Sequence, residues 1–176
     1  EKLNRIQEAI IKNGASAIIL SALDEIAWSL NLRGNDVHCN PVFISYLLIS
    51  KEGFTLYILE EKITDEVRTY LSTHQVNIKT YQALAEDLRT FASEHQGVLQ
   101  ISPLANEALY DLSTRYTDTI VAPSPVALMK AVKNETEQNG FRQAMERDGV
   151  ALVKFLRWLE EAVPAGNESE LSIDKK

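Results

Sequence analysis

The feature that most restricts how this chain can fold is a change of rhythm near residue 60. Two strand-like apolar runs, Phe43–Ser50 and Phe54–Leu59, are joined by only Lys51-Glu52-Gly53. A three-residue link ending in glycine predicts an antiparallel hairpin. After it, the sequence alternates. Thr64–His74 reads as helix, Val76–Tyr81 as strand, Leu84–His95 as helix, Gly97–Ser102 as strand, Leu104–Thr114 as helix and Asp118–Ala122 as strand. Strands alternating with helices of about 10–15 residues predict crossover units, in which parallel strands are covered by helices on both faces. Hairpin and crossovers together predict an α/β fold with a mixed, mostly parallel sheet flanked by helices over residues 1–124.

Upstream of the hairpin, Leu3, Ile6, Ala9 and Ile10 recur at helical spacing and Asn13-Gly14 supplies a stop, which predicts an amphipathic helix over 2–13. Ala15–Leu20 reads as a buried strand. A helix through Leu30 is expected next, capped by Ser21 or Asp24, with Leu23, Ile26, Ala27 and Leu30 facing inward. Residues 31–42 have no period and carry Gly, Pro, three Asn and an Asp, the pattern of a long loop. Downstream, Pro123-Ser124-Pro125 punctuates the chain before a short helix or linker over 126–132. Asn134-Glu135-Thr136-Glu137 has the form of a capping box. Behind it, Phe141, Met145, Leu152, Phe155, Leu156, Leu159 and Val163 predict one long helix ending near Pro164-Ala165-Gly166. The expected division is a domain over 1–124 and a linker plus long helix over 125–176.

Charge narrows the partners. The 18 Lys and Arg residues face 25 acids, a formal charge of −7. Residues 130–176 hold 8 basic and 9 acidic side chains, net −1, which leaves −6 on residues 1–129. Such a surface repels phosphate backbones and anionic lipid, so neither nucleic acid nor membrane is an expected partner. Cys39 is the single cysteine, which excludes an internal disulfide framework and fits a reducing compartment, with the cytoplasm as the expected location. The apolar runs are far too short to span a bilayer. The chain opens on Glu-Lys-Leu-Asn-Arg without a leader pattern or initiator Met and stops at Asp174-Lys175-Lys176, so it reads as a piece of a longer protein.

Motifs for catalysis are missing from the sequence: there is no phosphate-binding glycine loop, no nucleophile elbow and no His-Glu-x-x-His. His74 and His95 fall at expected helix ends, where a cation is favoured without any ligand role. His38 and Cys39 are adjacent, so their side chains diverge and serve one metal poorly. The expected strands up to Ser102 contain no Asp or Glu, which argues against a two-metal nuclease. Asn134-Glu135-Thr136 and Asn167-Glu168-Ser169 match the glycosylation acceptor pattern without a secretory context. One constellation stands out, Arg33-Gly34-Asn35-Asp36 with Asn40-Pro41. It reads either as a loop presenting a guanidinium to a substrate carboxylate or another domain, or as an Arg33–Asp36 pair bracing a turn, with Asn40 bonding its own backbone. Gly34 is expected to let the backbone turn tightly with a positive φ.

Several strings resemble a known family. Leu23-Asp24-Glu25-Ile26-Ala27-Trp28, then Asn31-Leu32-Arg33-Gly34-Asn35-Asp36 and Asn40-Pro41-Val42, are similar to the middle domain of three-domain Xaa-Pro aminopeptidases (aminopeptidase P) of the creatinase/prolidase family. Ser102-Pro103-Leu104-Ala105-Asn106 and Lys130-Ala131-Val132-Lys133-Asn134 fit the same resemblance, in the same order. It implies a ribonuclease H-like mixed sheet of the creatinase N-terminal type, followed by the opening helix of a pita-bread metallopeptidase domain. It implies two divalent metals, Mn or Zn, held by two Asp, one His and two Glu of that missing domain. No residue of this chain matches those ligands, so no catalytic, metal or cofactor residue is expected in it. The implied substrate of the parent is a peptide with proline at its second position. Cleft shaping and homodimer assembly are the expected roles of this segment, with Arg33, Asp36 and Asn40 as candidate substrate-binding or interdomain residues. The alternative the resemblance leaves open is a metal-free protein-binding module, as in a histone-chaperone subunit, whose acidic surface would suit basic partners.

Overall fold

The structure, a computed structural model, describes residues 1–95 and 97–175, with only the backbone of residues 92–95. Helix α1 (Lys2–Lys12) buries Leu3, Ile6 and Ile10, three positions on one helical face. Strand β1 (Ala17–Leu20) is buried along its whole length. Helix α2 (Leu23–Leu30) follows, then the loop over 31–44, and the hairpin of β2 (Ser45–Ser50) and β3 (Phe54–Ile58). The alternation is as expected: α3 (Asp65–Thr73), β4 (Val76–Thr80), α4 (Leu84–His95), β5 (Val98–Ile101), α5 (Glu107–Tyr116) and β6 (Asp118–Val121).

The six strands form one sheet in the order β4-β3-β2-β1-β5-β6. β2 runs antiparallel to both β1 and β3, whereas β1, β3, β4, β5 and β6 share one direction. Alternate residues point to opposite faces. Ile18, Leu20, Leu47, Ile49, Leu56 and Ile58 form one core with buried residues of α1, α2 and α3. Ala17, Ile19, Leu48, Tyr57, Leu99 and Ile101 form the other, with Leu84, Leu88 and Phe91 of α4 and Leu109 of α5. Each fully buried aliphatic side chain is worth about 1.5–3 kcal/mol, so these two cores hold the three layers together.

Two helix boundaries differ from the sequence reading, each at the cap position. Neither Ser21 nor Asp24 caps α2; Ala22 occupies the cap position without a side-chain bond, and Asp24 lies inside the first turn. Helix α5 begins at Glu107 rather than at Leu104, because Asn106 accepts the Leu109 N–H at 2.9 Å, leaving Leu104 92% exposed. The first compact unit runs over 1–131 and ends with one more helix. That helix, α6 (Pro125–Ala131), begins on a proline suited to a first helical position, buries Val126 and pairs Lys130 with Asp24.

Residues 132–176 make a second unit. Its helix α7 (Glu135–Ala165) opens with the expected capping box. The Asn134 side chain accepts the Glu137 N–H at 2.9 Å, and Glu137 accepts the Asn134 N–H at 2.8 Å. It closes on Gly166, whose φ of 70° is a left-handed cap. A short helix α8 (Glu170–Ile173) follows. No residue of α7 is buried: Phe141 is 57% exposed, Met145 65% and Leu152 56%. No helix among the described residues is long and apolar enough to cross a membrane.

Candidate functional site

All the parallel strands end at the same edge of the sheet, where β2 begins. Open α/β sheets bind ligands in crevices outside the carboxyl ends of their strands. A cleft of about 450 Å³ lies at that edge, between residues 32–36 and 43 on one side and 61–67 on the other. Leu56, Ile58 and Phe43, all buried, lie at its base, and Leu32, Ile63 and Val67 line it half-buried. Arg33, Asp36, Glu61 and Lys62 supply its charged groups.

The loop over 31–42 folds into a narrow finger. The Gly34 N–H donates to the Pro41 carbonyl at 3.3 Å, and the Asp36 N–H to the Val42 carbonyl at 3.1 Å. Asn40 donates its N–H to the Val37 carbonyl at 3.1 Å, closing the tip, where Cys39 has a φ of 57°. Gly34 is not among the residues with positive φ, contrary to expectation. Its role is to leave room: a Cβ there would stand 2.7 Å from the Phe43 Cβ and 3.0 Å from the Val42 carbonyl oxygen. The two limbs of the finger can approach only because that atom is missing.

Arg33 and Asp36 both line the cleft, but they do not brace one another. Arg33 Nη1 donates to the carbonyls of Ala27 at 3.1 Å and Leu32 at 2.9 Å, securing the end of α2. Asp36 is bonded to Lys62 and accepts the Ile44 N–H at 2.6 Å. The Lys62 ammonium, then that amide, hold the Asp36 carboxyl below the usual carboxylate range. Asn40 sits apart, on the exposed tip, and does not line the cleft. Lys62, Glu61, Ile63 and Val67 are the site residues that sequence reasoning missed. The signal available was their position just after β3, at the carboxyl end of a parallel strand.

The other resemblance strings have structural work. Glu25 is partly buried, which pushes its carboxyl upward, opposed by a hydrogen bond from the Ser124 hydroxyl. Asn106 donates to the Tyr46 hydroxyl at 3.1 Å as well as capping α5. Tyr46 packs on Tyr81, 5.2 Å between ring centres, and burial followed by the Tyr46 bond pushes the Tyr81 hydroxyl up to about 12. His74 is at the end of α3, edge-on to Tyr70. The His95 side chain lies outside the described residues. No group of three His, Cys, Asp or Glu side chains that could hold a metal occurs among the described residues.

The sequence profile of the Creatinase/Prolidase N-terminal domain matches residues 1–137. The chain belongs to that family. Over 164 residues it is 42% identical to Xaa-Pro aminopeptidase 1 of Dictyostelium discoideum, covering 93% of this chain and 26% of that protein. Over 171 residues it is 39% identical to a probable Xaa-Pro aminopeptidase P of Sordaria macrospora, covering 92% and 28%. Among solved structures, the X-prolyl aminopeptidase of Caenorhabditis elegans, described as a cytosolic enzyme with a di-nuclear active site, superposes with a TM-score of 0.88. The match is 28% identical and covers 98% of this chain and 29% of that one. The Xaa-Pro dipeptidase of Bacillus anthracis shares the fold, with a TM-score of 0.71 at 15% identity over 89% of this chain and 42% of its own. This creatinase-type chain thus spans between a quarter and a third of the length of its aminopeptidase relatives.

Proposed function

We propose that this chain is the non-catalytic middle domain of a metal-dependent Xaa-Pro aminopeptidase that removes the N-terminal residue preceding proline. One observation carries the reading: nearly the whole chain, α7 included, matches proteins with that name at 39–42% identity while spanning under a third of their length. Hydrolysis and its two divalent ions, Mn or Zn, are assigned to parts of the protein outside these residues, since the described side chains form no ligand set. The proposed contribution of this segment is to wall the active-site cleft and support a cytoplasmic homodimer. Arg33 and Asp36, at the carboxyl edge of the sheet, and Asn40, at the finger tip, face substrate or the catalytic part in this reading.

The test uses the full-length protein. Purified and stripped with a chelator, it should cleave a peptide with proline at the second position only after Mn²⁺ or Zn²⁺ is restored, and should leave a proline-free analogue intact. Equal cleavage of both peptides would overturn the assignment. Complete inactivity with metal bound would favour a protein-binding module instead.

A further inference from the structure

We infer that the cleft beside Arg33 binds a small apolar zwitterion, a free apolar amino acid or dipeptide, with its carboxylate on Arg33, its ammonium on Glu61 and its side chain on the floor between them. The volume of about 450 Å³ falls in the range of small-molecule sites, and the cleft opens at the carboxyl end of the parallel strand β3. Apolar lining with a few convergent polar groups is the usual composition of such a site. Here Leu32, Ile63 and Val67 are only half-buried, so a ligand side chain would remove apolar surface from water that the fold itself leaves wet.

The charged groups divide into spent and unspent. Asp36 and Lys62 satisfy one another, and the Ile44 N–H takes further acceptor capacity of the carboxylate. Arg33 is fixed through Nη1 alone by two backbone carbonyls, and among the described residues its Nε and Nη2 donors have no partner. That remaining edge of the guanidinium matches the two oxygens of a carboxylate. Glu61, exposed on the short 3₁₀ turn Glu60–Lys62, has no ion pair among the described residues and is the cleft's unspent anion. One free cation and one free anion over an apolar floor select a ligand carrying both charges. Anchoring by the α2 carbonyls also holds the guanidinium ready, which lowers the ordering cost of binding.

The binding itself stands without the peptidase reading; only its use, as a site for peptides or for released amino acids, rests on it. The probe is amide proton–nitrogen correlation spectra of the purified chain, titrated with leucine, leucyl-leucine, leucinamide and N-acetyl-leucine. Leucine and leucyl-leucine should shift amides of residues 32–36, 43 and 61–67, and the two derivatives, each lacking one charge, should bind about tenfold more weakly. The tighter of leucine and leucyl-leucine identifies the source. Arg33→Gln should weaken leucine and N-acetyl-leucine but not leucinamide. Glu61→Gln, on an exposed turn where folding is not at stake, should weaken leucine and leucinamide but not N-acetyl-leucine. No shifts in the cleft at about 10 mM ligand, or equal binding of all four compounds, would overturn the inference. Loss of Xaa-Pro cleavage in the full-length protein would count against the peptidase reading alone.

Discussion

At residue scale, Gly34 carries the sharpest constraint in the site. Its replacement by alanine needs no unusual backbone angle, so any cost is steric: the new methyl meets Phe43 at 2.7 Å and a backbone carbonyl at 3.0 Å. Overpacking of this kind costs about 1–3 kcal/mol, and Gly34→Ala should lower the melting temperature accordingly. An unchanged melting curve would mean the finger limbs separate freely. Asp36 gives a pH signature. Its carboxyl titrates lower in the folded chain than the ordinary value near 3.9, because Lys62 and the Ile44 amide favour the charged form. Its contribution is therefore complete above about pH 4 and fades as pH falls through the folded-state value. Asp36→Asn should destabilise at neutral pH by a few tenths to about 1 kcal/mol, discounted for solvent around the pair. In thermal melts the gap between wild type and variant should narrow below pH 4; a constant gap at every pH would refute the ionic contribution.

These residues also mark where the sequence was readable. Loop composition alone drew attention to Arg33 and Asp36, and both line the cleft. Their partners were not readable, because Lys62 reaches Asp36 across 26 positions, brought there by the β2–β3 register and the turn after β3. Nothing local in the string Arg33-Gly34-Asn35-Asp36 distinguishes an internal pair from one made to a distant lysine. Asn40 shares the composition of its neighbours but not their place, since the Val37–Asn40 turn carries it outward.

At the scale of elements, the helices and strands were legible to within a few residues wherever apolar period and cap agreed, as in α1, α3 and α7. They were misplaced where another residue held the cap position, as Ala22 does before α2 and Asn106 before α5. Helix α7 stands apart energetically. It has the capping box, the glycine stop and arginine pairs such as Arg157 with Glu160 and Glu161, but no buried side chain. Such surface pairs add only about 0.3–0.5 kcal/mol each, and most helical stability in proteins comes from packing. Hydrogen exchange on the purified chain should therefore be far faster over 136–165 than over β1 and β2. Comparable protection in both would mean that another surface covers the stripe of Phe141, Met145 and Leu152.

At the scale of the whole molecule, the mixed sheet followed from two local signals, the hairpin link and the later alternation, but strand order did not. Nothing in Ala15–Leu20 announces that it lies between a strand of the hairpin and one much further on. In the structure, Ala17 faces Ser50 on one edge and Leu99, 82 positions downstream, on the other. That placement has a consequence on the ribosome. At synthesis rates of about 5–20 residues per second, β1 waits roughly 4–16 s for β5 after it has been made, even before the exit tunnel releases either. Through that interval one row of its backbone N–H and C=O groups, flanked by Ile18 and Ile19, is an open edge of the kind that recruits stray strands. The nascent chain is thus most exposed to mispairing, and most in need of a holding chaperone, while its first half is already made and its central strand is half-paired.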